Sequence, residues 1–102
     1  MDHSSFHHVI LFRLREGVPL DRVRSAREAL AELVETLPGV LHLTVTHNVA
    51  EHNGGYTMAL FAGFENKGAF EICTRHPEWK RVFQEHIEPV VEARIVAEGT
   101  AR

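Results

Sequence analysis

The stretch Phe6-His7-His8-Val9-Ile10-Leu11-Phe12-Arg13-Leu14-Arg15 decides the fold. It is dense in β-forming residues and stops at Glu16-Gly17, a turn signal, so His7 to Arg15 reads as a strand. Successive side chains on a strand point to opposite faces. His8, Ile10, Phe12 and Leu14 face one way; His7, Val9, Leu11 and Arg13 face the other. Both faces are largely apolar, which predicts a central strand covered on both sides.

Working outward, Pro19 to Leu37 reads as a helix. Pro19 suits its first position, Asp21 its positive first turn, and Pro38-Gly39 stops it. Val23, Ala26, Leu30, Leu33, Val34 and Leu37 supply the apolar stripe, and Arg24 with Glu28 an i,i+4 pair. Val40 to Val49 reads as a second strand. Leu41, Leu43, Val45 and Val49 lie on one face and His42, Thr44 and Thr46 on the other, so one face is wet and an edge position follows. After the turn Asn53-Gly54-Gly55, Tyr56 to Phe64 reads as a third strand, also central. Asn66 is placed to cap a short helix carrying Ala69, Phe70 and Cys73. His76-Pro77 interrupts that helix, because the residue before proline avoids helical backbone. A second segment carries Trp79, Val82, Phe83 and Ile87, and Ala93 to Glu98 is a short last strand.

The order β-α-β-β-α-β, with its second helix broken, is the split βαβ pattern: an α+β, ferredoxin-like fold with a four-stranded antiparallel sheet and helices on one face. The 102 residues amount to one domain, with a core from about residue 6 to residue 98. Two central strands have two apolar faces each, yet the helices cover only one. The other face would leave Val9, Leu11, Val45, Ala59, Phe61 and Ile95 in water. Contiguous exposed apolar surface beyond a few hundred Å² is rare in soluble monomers. A homodimer packed through its sheet faces, burying at least about 800 Å² per partner, is the predicted remedy.

Composition narrows the function classes. The chain is 44% hydrophobic and 25% charged, with a formal charge of −3, so neither disorder nor a nucleic-acid partner is expected. Val9–Phe12 is too short to span a bilayer, and no membrane partner is expected. Met1–His8 lacks the features of a secretory leader, and a single cysteine, Cys73, suits a reducing, cytoplasmic compartment. No cofactor is expected, since no phosphate-cradling glycine loop occurs. Nor is a metal site: His7 and His8 point to opposite faces, as do His42 and His47, and His47 and His52, though near one turn, gain no carboxylate or cysteine at ligand spacing.

The segments Phe6–Arg15, Leu37-Pro-Gly-Val40, Gly55-Tyr-Thr-Met-Ala-Leu60 and Arg75-His-Pro-Glu-Trp79 resemble, in order and spacing, those of the stress-responsive α/β-barrel (Dabb) family. The resemblance spans about Phe6 to Glu98 and implies a dimeric α+β barrel. The family includes stress-associated proteins and the plant polyketide cyclase that forms olivetolic acid. In that cyclase a first-strand histidine lines a cavity between sheet and helices, and His8 matches it. The cyclase's catalytic histidine ends an H-P-x-H motif; here the motif reads His76-Pro77-Glu78-Trp79, so Trp79 takes its place. A substrate-placing tyrosine corresponds to Cys73. Indole has no basic nitrogen, so the cyclase mechanism does not carry over.

His8 is therefore the candidate catalytic residue, a polar group in an otherwise apolar layer, with a core histidine satisfied by backbone or water as the plainer alternative. Ile10, Phe12, Leu60, Ala62, Cys73, Trp79 and Phe83 either line a ligand cavity around it or simply fill the core. His8 is also a candidate hydrogen-bond partner for the Trp79 indole. Cys73 reads as a buried thiol and His76 as a helix cap. The expected role is a small hydrophobic-ligand-binding or stress-response protein; the alternative is a cofactor-free, cyclase-like enzyme with His8 as acid or base.

Overall fold

The computed structural model describes residues 5–101. Strand β1 (Ser5–Leu14) is followed by helix α1 (Leu20–Thr36), strands β2 (Val40–His47) and β3 (Met58–Phe64), helices α2 (Lys67–Arg75) and α3 (Pro77–Val82), a π-helical turn (Phe83–Ile87) and strand β4 (Val91–Ala101). The four strands form one antiparallel sheet in the order β2-β3-β1-β4, a ferredoxin-like fold. β1 and β3 are central and β2 is an edge, as their apolar patterns require. Among the described residues no helix is long and apolar enough to cross a membrane.

The punctuation works as the residue types dictate. The Asn66 side chain accepts from the Ala69 amide at 2.8 Å and starts α2. His76 then ends α2 and starts α3, its Nδ1 accepting from the Glu78 amide at 3.1 Å. Gly39 takes φ +74 after α1, backbone that favours glycine, and a Cβ there would lie 2.9 Å from that of Ala69.

The core lies between the sheet and the helices. Phe6, Ile10 and Phe12 of β1 and Met58, Leu60, Ala62 and Phe64 of β3 pack against Ala26, Leu30 and Leu33 of α1. Phe70, Cys73, Trp79, Val82, Phe83 and Ile87 close the layer from the second helical stretch. Fully burying one such large side chain is worth about 1.5–3 kcal/mol.

Several sequence expectations change. Val45 is not on the outer face. It pairs with Leu60, a core residue, so its side chain shares the helix side and packs against the core. The outer face of β2 is His42, Thr44 and Thr46, opposite Gly63, Phe61 and Ala59. Ala59 does lie on the outer face, but it is only 1% exposed because its larger neighbours enclose it. Leu41 leaves the alternation: a bulge between Val40 and His42 turns it to solvent. β2 and β3 each stop two residues short of the turn-side ends expected for them, at His47 and Met58. β4 is nearly twice as long as predicted, because its pairing with β1 runs on to Val91 at one end and through Gly99, Thr100 and Ala101 at the other. Arg24 and Glu28 do not pair; the charged contacts among the described residues are His8–Glu98, Arg13–Glu92 and Arg81 with Glu78 and Glu85.

The outer face keeps its apolar centre. Phe61 is 42% and Ile95 51% exposed, flanking the half-buried Val9 and Leu11.

Candidate functional site

β1 alternation turns His8 inward with Phe6, Ile10 and Phe12, and among the described residues it is the buried polar one, 5% exposed. On one side it pairs with Ala62 of β3; on the other with Glu98 of β4. That second pairing sets Glu98 Oε2 2.9 Å from His8 Nδ1. A carboxylate only accepts, so Nδ1 carries the proton and Nε2 holds the lone pair. The ring packs beside Phe70 at 4.7 Å and Trp79 at 6.1 Å between centroids.

Burial holds the His8 pKa below its ordinary value, because the imidazolium would lose its hydration. The charge and hydrogen bond of Glu98 pull it back upward, and the positive charge of Arg94 pushes it down. The result is a neutral, oriented imidazole with its basic nitrogen in an aromatic setting. Such a group accepts a proton or a hydrogen bond at neutral pH.

The other predicted site residues divide into two sets. Ile10, Phe12, Leu60 and Cys73 are each at most 2% exposed and are packed into the core. Trp79 and Phe83 are stacked, ring centres 4.8 Å apart and 19° between planes, and reach the surface. There they floor an open groove of about 320 Å³, walled by Thr74, Lys80, Gln84 and Arg94. The Arg94 guanidinium stands over the Phe83 ring at 5.8 Å. Trp79 thus separates His8 from this groove, with its indole beside the imidazole. Cys73 donates from Sγ to the Pro38 carbonyl at 3.1 Å, and burial raises its pKa, so it is a thiol rather than a thiolate nucleophile. His76 is engaged as a cap.

Glu98 is the residue that sequence reasoning missed. Its alternation with Arg94 and Val96 was readable. The register that joins it to His8, across the whole length of the chain, was not. Among the described residues no three histidine, cysteine or acidic side chains gather around one point.

A family model described as the stress responsive A/B barrel domain (Dabb) matches residues 6–101. No curated protein matches the chain. Among solved structures, the hydroxynitrile lyase from Passiflora edulis superposes with a TM-score of 0.89 at 13% identity, over 99% of this chain and 96% of that one. A Dabb family protein with a ferredoxin-like fold from Mesorhizobium loti gives 0.84 at 14% identity, over 97% and 98%. A dimeric ferredoxin-like protein of unknown function from Thermobifida fusca gives 0.83 at 21% identity, over 96% and 92%. At these identities the likeness is one of fold.

Proposed function

The chain belongs to the stress responsive A/B barrel (Dabb) family, and from that premise we propose that it works as a homodimer that binds a small apolar molecule against His8, in the layer between sheet and helices. The observation that carries this reading is the Nδ1–Glu98 bond of 2.9 Å, which fixes one ring nitrogen and leaves the other to meet a ligand. Ligand sites are commonly apolar cavities with a few placed polar groups, and His8 is such a group. The stacked Trp79 and Phe83 are the route by which a ligand would enter from the groove. Homodimerisation through the sheet faces is supported by the exposed Phe61 and Ile95 and by relatives described as dimeric.

The test is Trp79 emission against a panel of small aromatic and carbonyl compounds. Saturable change with at least one compound is expected, with affinity falling about tenfold in His8→Ala. If no compound changes the emission, the ligand reading fails.

The same Glu98 bond favours a second reading, in which His8 Nε2 removes a proton from the bound molecule and no cofactor takes part. A base held by a carboxylate has the orienter that catalysis by imidazole commonly uses. One structural relative is a hydroxynitrile lyase, so this fold hosts enzymes as well as proteins of unknown function. Under this reading turnover of a bound compound falls by roughly 10²–10⁴ in His8→Ala. Binding without turnover in the wild type leaves the first reading alone.

A further inference from the structure

At one end of its outer face the sheet carries a row that alternates two residue types: His42 of β2, Gly63 of β3, His7 of β1 and Gly99 of β4. The two histidines are far apart in the chain, so no spacing rule links them. The pairing register brings them together. Gly63 has no side chain, and the His42 imidazole lies over it; a Cβ at that position would run into His42 Nε2 and Cδ2. The ring therefore leans from the sheet edge toward β1, and its centre stands 6.1 Å from that of His7. Ser5 Oγ lies 3.1 Å from His7 Nε2.

These are the parts of a two-imidazole metal site. Two imidazoles on one zinc ion, with nitrogens at about 2.0–2.1 Å, have ring centres roughly 5–6 Å apart. The observed separation falls just outside that range, within reach of a small side-chain rotation. A metal-bound histidine typically donates its other ring N–H to an oxygen. Ser5 Oγ is placed to receive it from His7 Nε2, which directs Nδ1 to the ion. The neighbouring row, Thr44, Phe61, Val9 and Ala97, holds no cation that would repel one.

We propose that His7 and His42 bind a first-row divalent cation of the zinc class across Gly63, with water in the remaining positions. Neutral imidazole suits such ions better than it suits magnesium or calcium. Both ligands belong to one protomer and lie one row from the Phe61 patch that a second copy would cover. It also differs from the pairs that sequence spacing argues against, since it depends on two non-adjacent strands and the bare backbone between them.

The experiment is a titration of the EDTA-treated full chain with ZnCl₂ at neutral pH, followed by calorimetry and by the histidine ring signals in NMR. Saturable binding is expected, with the signals of His7 and His42 moving together. His42→Gln, on an exposed edge strand, should weaken the affinity at least tenfold. Gly63→Ala keeps both imidazoles but fills the space beneath one, and should do the same; circular dichroism checks that it folds. Unchanged affinity in His42→Gln, or shifts confined to other histidines, overturns the proposal. Sedimentation of the same protein in EDTA reads dimerisation separately, so failure of either idea leaves the other standing.

Discussion

A buried histidine carries a pH dependence whose sign follows from its surroundings. The pKa of His8 is lowered in the folded protein, chiefly by burial. The unfolded chain therefore binds a proton at this residue at a higher pH than the folded one does. Stability is full above the unfolded value of about 6.5, falls as pH drops through it, and levels once the folded pKa is passed. Urea midpoints at pH 7.5 and 5.5 should show a drop that is smaller in His8→Gln. An equal drop in both proteins would mean that other groups carry it. Glu98 acts in the opposite sense, because its charge and hydrogen bond raise the His8 pKa. Glu98→Gln should move the His8 titration, read from its ring proton, to lower pH. His8 itself was legible in the sequence, since a strand apolar on both faces makes any polar residue stand out. Its partner was not, because local pattern carries no information about which residue of a distant strand lies opposite.

At the scale of elements, the boundaries rest on a few short side chains. Asn66→Ala removes the acceptor for the Ala69 amide and should cost about 1 kcal/mol in chemical denaturation. Gly39→Ala combines a left-handed backbone with a close approach to Ala69. It should cost at least as much, and a neutral result would show that the loop relaxes freely. These signals were readable: a cap residue, a proline after histidine, a glycine after a helix. Three features were not. The bulge at Leu41, the side chosen by Val45 and the extension of β4 each depend on a neighbouring strand. The π-helical turn at Phe83–Ile87 departs from the helical period by one residue, which apolar spacing does not resolve. That turn nonetheless places Phe83 under Arg94 at the groove.

For the whole molecule, the question is what covers the outer face of the sheet. Helices lie on one side only, and the exposed Phe61 sits between Val9 and Thr44 at the centre of the other. Phe61→Lys should yield a folded monomer: sedimentation equilibrium at micromolar concentration would show half the wild-type mass, with circular dichroism unchanged. A wild type that sediments as a monomer removes the basis of the homodimer. The imbalance between two apolar sheet faces and one helical layer was visible in the sequence, and it survives the loss of Val45 and Ala59 from the list of uncovered residues. Phe61, Ile95, Val9 and Leu11 suffice to define the patch.

The pairing of β1 with β4 has a consequence for the order in which the protein assembles. Ser5 lies opposite Ala101, so the first and last described strands are neighbours in the finished sheet. Contacts between distant parts of a chain form against the greatest loss of chain entropy, and folds rich in them fold slowly. During synthesis the hairpin of β2 and β3 and the helices can collapse on β1 long before β4 emerges. Until then the inner edge of β1 stays open and His8 has no carboxylate beside it. Nascent chains would therefore acquire their compact core first and their oriented imidazole last, in the closing step of folding.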